Sequence, residues 1–188
     1  ADKGELDRAG IEAQARRMLR DRRAVQRSRR FVSEWLDLDR LKALRPNPQR
    51  FPHWDAALAA DMRNETLAFF EEIVWKQNRP LADLLNAQLT FVTPRLAAHY
   101  GLPMDEQQAG ERTVQYDLSS VPGRGGLLTQ GSVLTVGGDE ASMVARGLFV
   151  MHELLRGVVK DPPPCVDTTP VATGPGLSER AVAESRLA

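Results

Sequence analysis

The sequence predicts a mainly α protein, an irregular helical bundle with long loops and at most a short β-ribbon. Three observations carry this. Apolar residues recur at three- and four-residue spacing through most of the first hundred positions. Prolines and glycines fall between those periodic runs, where helices stop and start. Only one stretch, residues 113–118, alternates apolar and polar side chains as a strand does, and it has no obvious partner in the chain.

Taken in order, residues 7–20 read as a helix capped by Asp7, with Ile11, Ala15, Met18 and Leu19 on its apolar stripe. Asp21 caps a second helix, whose buried side is marked by Val25, Ser28, Phe31, Val32, Trp35, Leu36 and Leu38. Leu41 and Leu44 extend that pattern until Pro46 and Pro48 break it. Phe51 and Trp54 anchor the following loop to the core. The longest helix spans about 55–77, with Leu58, Met62, Thr66, Phe69, Phe70, Ile73 and Val74 on one face. Pro80 precedes a short helix. Thr93 and Pro94 supply a hydroxyl cap and a first-turn proline for another, and Gly101 closes it. Residues 126–135 and 141–156 read as two more helices, with Gly131 and Gly147 allowing close packing. A proline- and glycine-rich linker follows, then a helix from Ser178 that stops at Ala188.

These elements divide into four parts. Residues 1–50 form an N-terminal helical hairpin and residues 51–123 a central helical domain. Residues 124–160 form a two-helix, glycine-containing segment packed on the same core. Residues 161–188 hold the proline-rich linker and the start of a C-terminal helix.

Composition sets limits on function. Lys and Arg balance Asp and Glu at 25 each, but residues 1–50 carry 14 basic against 8 acidic side chains. No aromatics interleave with these arginines to stack bases, so the charge reads as a solvated helical face and no nucleic-acid partner is expected. The single cysteine, Cys165, excludes an internal disulfide and a thiolate metal cluster, and reads as an inert loop thiol. No apolar run is long enough for a transmembrane segment, and the polar N-terminus has no signal-peptide core. The missing initiator methionine and the interrupted last helix predict a piece of something longer.

No catalytic motif stands in the chain. The carboxylates Glu65, Glu71 and Glu72 invite a metal or acid–base reading. Glu71 and Glu72 are adjacent and so share no helix face, no E-x-x-H spacing follows, and the cluster reads as a solvated face. Gly123, Gly125 and Gly126 lack the Walker lysine and the strand-loop-helix context of a phosphate cradle. His53, His99 and His152 are widely spaced and read as structural or surface histidines. Met104, Met143 and Met151 read as core filling rather than axial haem ligands. The serines lack a nucleophile elbow. No metal site is expected.

A resemblance does emerge from Glu65, Phe69-Phe70, Leu84-Leu85, Phe91-Val92, His99-Tyr100-Gly101, Arg124-Gly125-Gly126-Leu127-Leu128, Gln130-Gly131-Ser132, Leu134 and Arg146-Gly147, followed by the proline run. In this order they resemble planctomycete-type, cytochrome-associated bacterial domains of unknown function. The likeness covers the end of the domain numbered fifteen-ninety-five, fifteen-ninety-two, and the start of fifteen-eighty-eight. It implies a helical scaffold or docking module of a multidomain c-type-cytochrome-like protein, placed in the periplasm or at the cell surface and serving electron transfer. Its expected partner is a haem-bearing C-terminal domain of the same parent. The c-type haem would sit in a missing C-terminal region, with no cofactor held within this chain. Two alternatives stay open: part of a haem-dependent oxidoreductase lining a substrate cleft, and an interaction domain without redox role. His99, Tyr100 and Arg146 are the candidate cofactor-binding residues.

Overall fold

The computed structural model describes residues 7–104, 112–139 and 142–161, together with Pro164, Ala181 and Glu184. Cys165 and the helix expected from Ser178 lie outside the described residues. Among the described residues the fold is mainly α with one two-stranded ribbon, in agreement with the expected class.

Helix α1 (Arg8–Leu19) begins where the Asp7 carboxylate accepts the Gly10 N–H at 2.7 Å. Helix α2 (Arg22–Trp35) begins in the same way, with Asp21 accepting from Arg23 N at 2.9 Å. Both caps satisfy amide donors that a first helical turn leaves free. The second helix does not run on to Leu44. Asp37 turns into the left-handed region (φ 47°), and the chain tightens into a 3₁₀ helix, Leu38–Lys42. That turn swings Leu38 and Leu41 into the core. Phe31, expected on the buried side of α2, is 62% exposed and stacks on Trp35 instead.

Helix α3 (Ala56–Phe70) is the axis of the fold, and it continues through a wider π turn, Glu71–Lys76. Its residues enter two apolar clusters. Leu67, Phe69 and Ile73 meet Val32, Leu36 and Leu38 in one. Leu58, Ala59 and Met62 meet Leu41, Val92, Leu96 and Ala97 in the other. A helix packed on several sides must bury whatever lies between its apolar positions. Here that includes two polar residues, Glu65 and Thr66, each 1% exposed. The solvated-face expectation is therefore wrong for Glu65. It follows Met62 by three and precedes Phe69 by four, which places it on the apolar stripe itself.

After α3, a 3₁₀ helix (Leu81–Leu85) leads into strand β1 (Leu89–Val92), an element not expected from the sequence. Strand β2 (Val114–Asp117) is the alternating segment expected there, and its partner is β1. The two are antiparallel, with Thr90 opposite Tyr116 and Phe91 opposite Gln115. Between them α4 (Pro94–Tyr100) starts at a Thr93 hydroxyl that accepts from Leu96 N and ends at Gly101 with φ 67°.

The expected helix over 126–135 is shorter than foreseen. It is a 3₁₀ turn, Leu127–Thr129, and a single α turn, α5 (Gly131–Leu134). Gly126 precedes it at φ 66°, and a Cβ there would lie 2.2 Å from the Leu85 carbonyl oxygen, so both conformation and space require glycine. Helix α6 (Met143–Phe149) follows and continues as a π turn, Val150–Leu154. The indole N–H of Trp35 donates to the Glu153 carbonyl at 3.1 Å and fixes this last element to the end of α2. A methyl on Gly147 would meet no atom within 4 Å, so this glycine plays no part in close packing.

Candidate functional site

Residues far apart in the sequence converge on the middle of α3. Thr90 on β1 donates its hydroxyl to Glu65 Oε1 at 2.5 Å, and Tyr100 at the end of α4 donates to Glu65 Oε2 at 2.6 Å. The Tyr100 oxygen in turn accepts the Gly131 backbone N–H at 2.6 Å, at the first turn of α5. Arg124 lays its guanidinium over the Tyr100 ring, 3.9 Å from the ring centre, a close cation–π contact. His99 lies beside Tyr100 with ring centres 5.7 Å apart.

Burial dominates the electrostatics. Removing Glu65 from water pushes its carboxyl up to about 7, against the pull of the Thr90 and Tyr100 hydroxyls and the Arg124 charge. Burial, with the Glu65 charge close by, raises the Tyr100 phenol well above its ordinary value. Partial burial and the positive charges of Arg124 and His53 hold His99 below the usual imidazole range.

The next residue on α3 anchors the next part of the same loop. Thr66 Oγ1 lies 2.8 Å from Gln130 Oε1 and 2.6 Å from Ser132 Oγ. Arg40 donates to the Ser132 carbonyl, and also to those of Leu36 and Asp37 at 2.8 and 2.7 Å. Three consecutive residues, Gln130, Gly131 and Ser132, are thus bonded to α3, to α4 and to the 3₁₀ turn after α2. A methyl on Gly131 would stand 2.7 Å from the Tyr100 oxygen and 2.8 Å from Met62 Sδ. Gly131 therefore has the close-packing role that its sequence suggested.

Of the three candidate residues, the structure brings His99 and Tyr100 together. Arg146 donates to the Leu134 carbonyl at 3.1 Å, at the far end of α5. The guanidinium on the Tyr100 ring belongs to Arg124. Glu65, Thr90 and Arg124 are site residues that the sequence reading missed. A signal for two of them was present, because Glu65, His99-Tyr100, Arg124 and Gln130-Gly131-Ser132 are all landmarks of the resemblance. The structure shows that these landmarks are one cluster.

The glycines around Arg124 do not form a phosphate cradle. Two of the amides are already engaged: Gly125 N donates to Thr129 Oγ1 at 3.0 Å within the loop, and Gly126 N donates to the Ala87 carbonyl at 2.9 Å. Among the described residues, no group of three His, Cys, Asp or Glu side chains is placed to hold a metal ion. None of the described helices is long and apolar enough to cross a membrane.

Residues 1–102 match the family PSD4, described as a protein of unknown function (DUF1592). Residues 124–187 match PSCyt3, also described as a protein of unknown function (DUF1588). No curated protein and no solved structure matches the chain.

Proposed function

Since the chain belongs to the PSD4 family of planctomycete cytochrome-associated domains and carries a PSCyt3 segment, we propose that it is a helical scaffold or docking module for a c-type cytochrome domain. Its work is non-catalytic, and it serves electron transfer outside the cytoplasm as part of a multidomain bacterial protein.

The observation that carries this reading is the Glu65–Tyr100–Gly131 tie. It has the ingredients of a catalytic acid, a carboxyl poised near 7 beside a phenol. Yet Glu65 is 1% exposed and both its oxygens are taken by side chains of the fold. A general acid must reach the atom it protonates. The hydroxyls on Glu65 are those of Thr90 and Tyr100, and through them it binds β1 and α4 to α3, with α5 joined through Tyr100. Such a cluster makes a rigid platform from two family segments.

The residues present do not fit a covalently attached haem. That attachment takes two cysteines and a histidine in a Cys-x-x-Cys-His run, and the chain has one cysteine. The haem of this reading belongs to a partner domain.

The test begins with the source gene, read on from the codon for Ala188. A downstream Cys-x-x-Cys-His motif supports the reading, and the haem-bearing domain is then produced alone and titrated with this chain. Saturable association, retained by a His99→Ala variant with unchanged turnover of the joined protein, is the expected result. Absence of any haem motif in the gene, or no association between the two parts, overturns it. Loss of turnover in His99→Ala with association intact points to the oxidoreductase alternative.

A further inference from the structure

A second feature lies between α2 and α3, away from the Glu65 cluster. A cleft of about 460 Å³ opens there, with Leu67 and Ser33 at its base and Arg29, Arg30 and Arg63 around it. Leu67 and Ser33 are both buried, so the base is set by the core. The arginines are paired unevenly. Arg29 meets Glu71 at 2.5 Å and Arg30 meets Glu34 at 2.7 Å.

Arg63 is the exception. Its Nη2 donates to Ser33 Oγ at 3.0 Å, which holds the guanidinium in place. Its Nε is buried and makes no hydrogen bond. The nearest carboxylate oxygen, Asp39 Oδ1, stands 3.5 Å away and already accepts from Lys42 at 2.7 Å. Among the described residues of this cluster, four cations (Arg29, Arg30, Lys42, Arg63) share three carboxylates (Glu34, Asp39, Glu71). One positive charge is in excess, since Arg63 and Lys42 share Asp39, and the Arg63 Nε is the donor left without a hydrogen bond.

A buried charged donor without an acceptor is costly, and a planar fork is matched best by a planar oxyanion. We propose that this cleft is a binding site for one carboxylate group. The incoming carboxylate displaces the exposed Asp39 side chain from above Arg63 and bonds across its Nε–Nη2 edge, with Arg30 closing over it. A phosphate dianion is disfavoured, because Glu34 and Asp39 stand on the same rim and would repel the second charge. The carboxylate comes either from a free small acid or from an acidic side chain presented by a protein. The site stands independently of the docking reading, since it is assayed on this chain alone.

The test is NMR of the arginine Nε–H signals in the 188-residue chain, titrated with sodium acetate, with a blocked Gly-Glu-Gly peptide and with phosphate, against sodium chloride at equal ionic strength. The Arg63 signal is expected to shift saturably with acetate and not with chloride. Arg63→Lys keeps the charge but loses the fork, and should weaken acetate binding roughly tenfold or more. Asp39→Asn removes the competing carboxylate and should tighten it, so the proposal does not depend on one variant folding. Tighter binding of the peptide than of acetate assigns the source to a protein side chain; equal or weaker binding assigns it to a free acid. A shift equal in chloride, unchanged affinity in Arg63→Lys, or phosphate binding more tightly than acetate overturns the proposal.

Discussion

Replacing Glu65 by Gln tests the buried cluster through its pH dependence. In the folded chain burial raises the carboxyl from 4.5 to about 7. Below pH 4.5 Glu65 is protonated in both folded and unfolded chains, and its titration costs nothing. As pH rises from 4.5 to 7 the unfolded chain releases the proton and the folded one retains it, so stability falls. Above about 7 the loss is complete. At about 1.4 kcal/mol per pH unit across that window, the loss is about 3 kcal/mol. Gln at position 65 is nearly isosteric and does not titrate. The assay is urea unfolding of both proteins at intervals between about pH 4.5 and 8. His99, held below its ordinary value, makes stability rise as pH climbs towards the ordinary imidazole range, but it does so in both proteins and cancels in the difference. Wild type should lose stability relative to Glu65→Gln as pH rises, and the difference should level off above about 7. Parallel curves would refute the reasoning. So would a wild type that gains on the variant with rising pH, which would mean that the two hydroxyl donors outweigh burial.

Other expectations follow from the same contacts. Tyr100→Phe removes the donor to Glu65 and the acceptor of Gly131 N, and should cost about 1–3 kcal/mol in urea unfolding. It also removes a group that favours the charged carboxylate, so the pH window of Glu65 should move upward. Gly131→Ala pushes a methyl against Tyr100 and Met62 and should destabilise by roughly 1–3 kcal/mol. Gly147→Ala, in a helix with open space around it, should instead stabilise by roughly 0.5–1 kcal/mol, and thermal melts of the two variants should diverge in sign. Trp35→Phe deletes the bond to the Glu153 carbonyl; hydrogen exchange should quicken in residues 150–155 while the global unfolding free energy changes by about 1 kcal/mol or less.

Helix starts were legible because their signals are local. Asp7, Asp21 and Thr93 each cap the helix that their position announced, and Gly101 closes α4 in the left-handed conformation. What the sequence hid was non-local. Residues 89–92 form a strand by pairing with β2, and Thr90 and Val92 are buried against α3 and α4; nothing in Leu-Thr-Phe-Val announces those partners. Phe31 fits the apolar period of α2 yet faces outward, since the period specifies a face and not what covers it. Glu65 was misjudged on residue type. Charged side chains are seldom fully buried, and that general tendency overrode a spacing that placed it squarely on the stripe of Met62 and Phe69. Arg124 could not be singled out from periodicity, because it sits in a glycine loop; only its place among the family landmarks connects it with Tyr100.

The bonds from Gln130, Gly131 and Ser132 into α3 and α4 cross from one family segment to the other. Strand β2, which lies between the two matched stretches, is hydrogen-bonded to β1 in the first. The boundary drawn between the segments in sequence is thus not a seam in the folded protein. Separated at residues 103–123, the first piece would present Glu65, Thr66 and the open edge of β1 to water, and the second would keep α5 and α6 without α3 and α4 to pack against. The two segments therefore share one set of buried contacts, and an exchange of either piece alone would break the bonds that cross between them.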